Sequence, residues 1–291
     1  MKKDDVTEKM LSRRNFLKTA GGAAAVAGLA TTGIPLMTGQ AQAACDALPK
    51  KWDETYDVVV IGSGFAGLAA AIEAKNAGAK DVAVIEKMPV HGGNSIINGG
   101  DFGAPGTKLQ KENGVEDSPE LMLKDMLRAG MYLNHPELAK TVAYGAKDAL
   151  EWTESYLGCK YAKLNFHGGH SVKRAHGTIN QSGSEVVNKE LAKAKEIGVK
   201  IQMRTKVVKF LSNKEGRIVG MEVLKGYKFP DEKSGKTAFI KARKAIVLGS
   251  GGFSYDVALR QIHDPRLTDK LGSTNHPGAP GEALLAACQS G

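Results

Sequence analysis

A mixed α/β fold with a parallel sheet at its centre is what this sequence predicts, and three local patterns predict it. A β-branched run, Val58-Val59-Val60-Ile61, leads straight into Gly62-Ser63-Gly64-Phe65-Ala66-Gly67. An Ala-rich stretch from Leu68 to Ala77 follows, closed by Gly78. A second apolar run at 82–85 then ends on an acid, Glu86. Continuous β-branched residues suit a strand buried on both faces of a parallel sheet. Alanine gives up no side-chain entropy in a helix, and glycine readily takes the left-handed position that ends one.

The turn between the first strand and the helix carries the chemistry. Gly62 permits the tight turn, Gly64 lets backbone approach a diphosphate, and Gly67 lets helix and strand pack closely. The helix N-terminus offers free N–H groups and a positive dipole end to the phosphates. Glu86 stands 19 residues after Gly67 and is placed to accept hydrogen bonds from a ribose hydroxyl. A carboxylate there disfavours a 2′-phosphate, and so NADP. Glycines alone cluster in many turns. Strand, glycines, helix, second strand and terminal acid in this order specify a Rossmann-like dinucleotide site.

Further along, Asp117-Ser118-Pro119-Glu120-Leu121 predicts a helix start, with Ser118 as N-cap and Pro119 at the first helical position. Thr205 to Phe210 reads as a strand, and strands near 217–224 and 237–242 form a small antiparallel β-meander. Ala245-Ile246-Val247-Leu248 is a further buried strand, entering the glycine turn Gly249-Ser250-Gly251-Gly252-Phe253.

The 291 residues carry a formal net charge of +9. Residues 1–43 hold six basic and three acidic side chains, which leaves +6 for the rest. That charge suits a solvated surface or anionic ligands, and without a run of five basic residues nucleic acid is not an expected partner. Cys45, Cys159 and Cys288 form no C-x-x-C pair, so no zinc ribbon, thioredoxin motif or haem on this chain is expected. A Cys159–Cys288 disulfide is one arrangement; burial of both as ordinary apolar residues is the expected one.

Ser12-Arg13-Arg14-Asn15-Phe16-Leu17-Lys18 is similar at every position to the twin-arginine export signal S/T-R-R-x-F-L-K. A weakly apolar, Gly-rich stretch follows, and then Ala41-Gln42-Ala43, which has the A-x-A form of a signal-peptidase site. The stretch is too weakly hydrophobic for a stable membrane anchor. Cys45 lacks the bulky aliphatic residue that lipidation requires upstream. The expected organisation is a signal peptide at 1–43, a linker at 44–56 and a dinucleotide-binding domain at 57–291, incomplete at its C-terminal end. The twin-arginine route carries folded proteins, often with cofactor inserted, so a periplasmic redox protein is expected.

Glu86-Lys87 continues into Met88-Pro89-Val90-His91-Gly92-Gly93-Asn94-Ser95, with Asn98-Gly99-Gly100 soon after. A plain NAD domain does not need this second glycine-rich segment, which brings more backbone close to an extended ligand. Here the sequence resembles the fumarate reductase/succinate dehydrogenase flavoprotein family, in its soluble flavocytochrome c branch. Arg174-Ala175-His176 and Ser273-Thr274-Asn275-His276-Pro277-Gly278-Ala279-Pro280-Gly281-Glu282 extend the match over residues 55–291. Glu282 replaces the family's Asp, and Ala283 the glycine after it.

The resemblance implies FAD, held non-covalently. Its contacts would come from Gly62, Gly64, Ala66 and Gly67 of the turn, and from Glu86, Lys87, Gly93, Asn94 and Ser95. Gly99, Gly100, Val207, Gly251 and Glu282 would complete them, with Gly100 also near substrate. The implied reaction is hydride transfer from reduced flavin to a C=C bond beside a carboxylate, as in fumarate, methacrylate or urocanate. A separate multihaem cytochrome c would supply the electrons. The family's capping domain, absent from this chain, would carry the catalytic Arg beyond Gly291, so no catalytic residue is assigned here. An incomplete flavin domain would leave sheet edges uncovered, giving poor solubility and weak FAD retention for the chain alone. A ketosteroid-like flavin dehydrogenase and a non-catalytic FAD-binding remnant are the alternatives.

His167, His170 and His176 have H-x-x-H-x₅-H spacing in a Gly-rich stretch. Nothing in it demands the close ligand sphere of zinc, and no metal is expected. The resemblance brings this segment toward the flavin ring, where His170 or His176 would tune it; structural hydrogen bonding is the other reading. His91 and His276 flank glycines expected near FAD; plain surface placement is the other reading for both.

Overall fold

The computed structural model describes residues 48–290. The signal peptide, its cleavage site and Cys45 lie outside the described residues. β1 (Glu54–Ile61), α1 (Phe65–Asn76) and β2 (Val82–Ile85) form the expected parallel βαβ start of the sheet. α2 (Gly93–Ile97), β3 (Asp101–Gly103), α3 (Lys108–Glu112), α4 (Pro119–Ala129) and α5 (Pro136–Ser155) follow. Next come β4 (Tyr161–Asn165), β5 (Ala175–Thr178), α6 (Ser184–Glu196), β6 (Lys200–Gln202), β7 (Thr205–Ser212) and β8 (Ile218–Lys225). β9 (Lys236–Leu248), α7 (Val257–His263) and α8 (Glu282–Gln289) complete the order. No helix among the described residues is long and apolar enough to cross a membrane.

The main sheet runs β6-β2-β1-β9-β8-β7. β6, β2, β1 and β9 are parallel neighbours, while β9, β8 and β7 form the antiparallel meander. Side chains of a strand alternate between faces. Val58 and Val60 therefore join Leu68 and Ile72 of α1 and Val187 and Leu191 of α6 on one side. Val59 and Ile61 join Phe210, Met221, Ile240 and Ala286 of α8 on the other. Burying a side chain such as Leu68 or Ile72 contributes about 1.5–3 kcal/mol, and both are fully buried.

Two strand expectations change. The stretches 237–242 and 245–248 are one strand, β9, shared by the meander and the parallel sheet. Its register against β1 jumps from Tyr56↔Ala242 to Val58↔Ala245, so Arg243 and Lys244 together oppose Asp57 in a bulge. Arg243 Nε donates to Asp57 Oδ1 at 2.8 Å and Lys244 Nζ lies 3.4 Å from Asp57 Oδ2. The Arg243 hydrogen bond, helped by the Lys80 amide, holds the Asp57 carboxyl well below its usual range. Those two cations made the strand read as broken. β1 also starts at Glu54, inside the expected linker, because Glu54–Tyr56 pair with β9 and Lys225 donates to Glu54.

A second, antiparallel sheet, β3-β5-β4, was not expected from sequence. It packs with α4 and α5 around Ala104, Met122, Ala146 and Leu150. Ser118 caps α4 as expected, accepting from the Leu121 amide at 3.2 Å. Beneath this sheet Arg174, fully buried, bonds Asp117 through Nε (3.0 Å) and Nη2 (2.9 Å), and its Nη1 lies 2.9 Å from Asp125 Oδ2. Cys159 and Cys288 are both free. Cys159 is buried as expected, but Cys288 is exposed, because α8 turns Ala283, Ala286 and Ala287 toward the sheet instead.

Glu190 of α6 is only 2% exposed, and its Oε2 has no hydrogen-bond partner. Burial pushes its carboxyl up to about 9. A folded-state value above the unfolded one means that folding holds a proton the unfolded chain has released. This stability is full below about 4.5 and is lost as pH rises towards about 9. Glu190→Gln is expected to match the parent near pH 5 and to exceed it near pH 8 by a few kcal/mol. Thermal melts of both across that range test this; parallel curves would refute it.

Candidate functional site

A cavity of about 390 Å³ opens where the C-terminal ends of β1, β2 and β9 meet. Three close backbone approaches shape it. Gly62 has φ +97° and donates its amide to Ile85 O at 2.8 Å. A Cβ on Gly62 would stand 2.5 Å from Gly249 O, and one on Gly67 would stand 1.9 Å from Gly62 O. The Gly249 amide in turn donates to Ile61 O at 2.8 Å. Glycine is thus required where β1, β9 and α1 converge.

α1 begins at this point without a side-chain cap. Gly64, Phe65 and Ala66 line the cavity, and the Phe65 amide donates to Ser95 Oγ at 3.1 Å. An uncapped helix start leaves donors and a positive dipole end for an anion. A Cβ on Gly64 would meet Ser95 Oγ at 2.9 Å, so this glycine makes room for α2 as well.

Glu86 is held from two sides. Its Oε2 accepts from Ser63 Oγ at 2.7 Å and from the Ser63 amide at 3.1 Å, and its Oε1 accepts from the Met88 amide at 2.9 Å. Ser63 Oγ accepts in turn from the Gly92 amide at 3.0 Å. A carboxylate has about four acceptor positions. Three are filled from within the chain, which leaves one on Oε1 for a ligand hydroxyl.

A further wall, next to Glu86, is built from β7 and α8. Thr205, Lys206 and Val207 face Gly281, Glu282 and Ala283 across the cavity rim. Glu282 Oε2 lies 2.5 Å from Lys87 Nζ. Asn94 Oδ1 accepts from the His276 amide at 2.6 Å, which fastens the loop before α8 to α2. The arrangement suits a dinucleotide: helix-start amides, beside the one that Ser95 takes, for a diphosphate, a pre-oriented carboxylate with one acceptor position left, and, at Gly62 and Gly67, backbones packed too closely to admit a Cβ.

Of the residues singled out from sequence, Gly62, Gly64, Ala66, Glu86, Lys87, Gly93, Asn94, Ser95, Val207, Gly251 and Glu282 line this one cavity. Gly67 lies beneath it as a packing position. Gly99 and Gly100 stand outside the lining. Gly100, at φ +72°, backs onto the 178–182 turn, where a Cβ would meet Ser182 C at 2.5 Å. Ser63, Lys206 and Ser250 line the cavity but were missed. A polar Ser63 between two motif glycines was the available signal for the first; nothing marks Lys206, a charged residue buried in a strand.

None of His167, His170 and His176 lines the cavity. His176 sits on β5, 1% exposed. Its Nδ1 donates to Arg174 O at 2.9 Å, while Nε2 accepts from Thr107 Oγ1 at 2.7 Å. Burial holds its pKa below the usual value, against the raising effect of the carbonyls of Phe102 and Arg174. These bonds tie β5 to the start of α3. His276 does line the cavity, and its Nδ1 accepts from the Gly278 amide at 2.9 Å.

Comparison with known proteins agrees with this geometry. The FAD binding domain family matches residues 57–291. A twin-arginine translocation pathway signal matches residues 10–30, which directs export to the periplasm. The chain is 42% identical over 277 residues to the acrylate reductase flavoprotein subunit of Shewanella woodyi, covering 95% of this chain and 53% of that protein. It is 32% identical to the urocanate reductase of Eggerthella lenta, over 98% of this chain and 45% of that one. The open conformation of a flavocytochrome c3 fumarate reductase superposes with a TM-score of 0.75 at 33% identity, covering 82% of this chain and 41% of that one. The chain spans about half the length of the relatives it matches.

Proposed function

The chain belongs to the FAD binding domain family, and from that premise we propose that it is the FAD-bearing part of a reductase acting on the C=C bond of a small unsaturated carboxylate. The observation that carries this is the cavity: the amides of α1 and the held carboxylate of Glu86 open into the same space. The similarity to an acrylate reductase subunit and a urocanate reductase supports the substrate class.

When bound, FAD would supply hydride chemistry. Within this chain the residues bind and orient. The Gly64 and Ala66 amides at the start of α1 would take the diphosphate, with the helix dipole end toward its charge. Glu86 would accept a ribose hydroxyl on its remaining Oε1 position, fixed in direction by Ser63 and Met88. Val207 would pack at the adenine end, with Lys87, Gly93, Asn94, Ser95 and Gly251 around the remaining contour and Glu282 at its rim. From the family resemblance we infer non-covalent binding and a separate multihaem cytochrome c electron donor. No proton donor to substrate is assigned among these residues. Gly99 and Gly100, on the segment that follows Asn94 and Ser95, would lie toward the flavin ring, with Gly100 also near substrate.

Glu86→Gln would set its NH₂ against the amides it now accepts from, as well as losing the charge. Hydrogen bonds to a charged group are worth about 1.5–3 kcal/mol, so FAD affinity is expected to fall about 10–100-fold. Flavin fluorescence titration measures this, and unchanged affinity would remove Glu86 from the site. The substrate class is tested by anaerobic oxidation of reduced viologen with acrylate, urocanate and fumarate, using the full-length exported flavoprotein. Absence of turnover with every acid would overturn the reductase reading; turnover with a ketosteroid alone would favour a steroid dehydrogenase.

A further inference from the structure

Three charged groups, Lys87, Lys206 and Glu282, line the cavity beside Glu86, and a fourth, Glu232, lies outside the lining and pairs with Lys206. Lys87 follows β2, Lys206 lies on β7, Glu232 is in the turn between β8 and β9, and Glu282 opens α8. Lys87 Nζ stands 2.5 Å from Glu282 Oε2, and Lys206 Nζ lies 3.7 Å from Glu282 Oε1. Lys206 also donates to both oxygens of Glu232, at 2.5 and 2.6 Å. The side chains of the two lysines are only 13% and 11% exposed. Each also lies against a ring, Lys87 5.5 Å from Phe229 and Lys206 5.1 Å from Tyr227. Tyr227 Oη donates to Glu232 Oε1 at 2.9 Å.

An ammonium buried this far is costly unless it is paired. Glu282 is therefore bound first by the chain's own lysines. The apolar hold on α8 is slight by comparison, since Ala283, Ala286 and Ala287 offer single methyls to the sheet. The charge cluster thus ties the start of α8 to β2 and β7 across the cavity rim. Its reach depends on the length of the acid: the resembling family carries Asp at this position, one methylene shorter.

We propose that Glu282 is a positioning residue that latches α8 over the end of the cavity beside Glu86, through Lys87 and Lys206, and so sets how fast a bound dinucleotide leaves. The latch rests on the FAD reading above. It assigns the carboxylate to the protein, whereas the family resemblance assigns it to the cofactor.

The two assignments differ in what Lys87 does. If Glu282 acts through Lys87, then Glu282→Gln, Glu282→Asp and Lys87→Met each raise the FAD dissociation rate about tenfold, as expected when one partner of a buried charge pair is lost. The Glu282→Gln/Lys87→Met double variant is then no faster than either single one. Lys87→Arg keeps the charge and restores a rate close to the parent's. The parent rate rises with salt, and the Glu282→Gln rate does so less. Flavin fluorescence recovery after dilution of the holoprotein gives these rates, and melts of the apoproteins show whether each variant folds.

Any of three results overturns the latch: a Glu282→Gln rate equal to the parent's, a Glu282→Asp rate equal to the parent's, or single effects that add in the double variant. A parent that holds no FAD at all removes the premise and the latch together. A parent that holds FAD while Glu282→Gln changes nothing removes the latch alone.

Discussion

Arg174→Met is expected to destabilise the protein by about 3–5 kcal/mol, the range for removing one partner of a buried charge network. The guanidinium is fully buried and bonds Asp117 through two nitrogens, with Asp125 Oδ2 2.9 Å from the third. Methionine fills much the same space and offers no donor, so both carboxylates would stay buried without their cation. Asp117 would keep its bonds from Gln110 Nε2 (2.8 Å) and the Ser118 amide (2.9 Å). Asp125 would keep Ser171. The melting temperature is expected to fall by roughly 10 °C, and a shift of only one or two degrees would refute the account. A triple variant with leucine at 117 and 125 as well should recover much of the loss, because an apolar replacement leaves no buried charge.

The same network has a pH signature. Burial acts to raise the Asp125 pKa, but the Ser171 hydrogen bonds and Arg174 outweigh it, and the net shift is downward. A lowered folded-state value gives stability that is present above the unfolded value and lost as pH falls through the folded one. Arg174→Met should therefore flatten the acid limb of the stability profile. Glu190 acts in the opposite sense, toward alkaline pH, so the two contributions can be read separately.

Gly67→Ala is the second large effect. The new Cβ would stand 1.9 Å from Gly62 O and 2.9 Å from Gly62 C. Both are backbone atoms and cannot swing aside. Either α1 lifts from the sheet or the Gly62 turn opens, and each displaces the amides that face the cavity. Overpacking a core costs about 1–3 kcal/mol where side chains can adjust, and more is expected here. FAD binding should be lost together with stability. Gly78→Ala is the control: it sits at φ +89° with nothing within 4 Å of its Cβ. That substitution should cost about 1–2 kcal/mol of left-handed strain and leave FAD affinity alone. If Gly67→Ala binds FAD as the parent does, the close approach of helix and strand is not what positions the amides.

The first βαβ unit was legible because its signals are local. Val58 to Ile61, the three glycines, the alanines and Glu86 each follow from what one residue does to its own backbone or to a ligand beside it. The helix start at Ser118 is of the same kind. β9 was not legible as one strand, because Arg243 and Lys244 break its apolar run; only the bulge against Asp57 gives those cations a place. The small β3-β5-β4 sheet escaped notice because its strands are short and its pattern is decided by α4 and α5 packed on it. Gly100 was read as a cofactor and substrate contact; that a Cβ there would meet the 178–182 turn, far away in sequence, only the fold shows.

What the sequence by itself determined is the cofactor end of the protein: a strand, a glycine turn, a helix start and a closing carboxylate whose order alone specifies a dinucleotide. The tertiary structure alone decided which distant groups complete that site. It brought Ser63 under Glu86, set Lys87 and Lys206 against Glu282, and turned His176 away into a structural bond with Thr107. The physical reason is the range of the forces involved. Backbone conformation and helix capping act over a few residues of chain, whereas burial and charge pairing act through space, and only folding says which side chains share it.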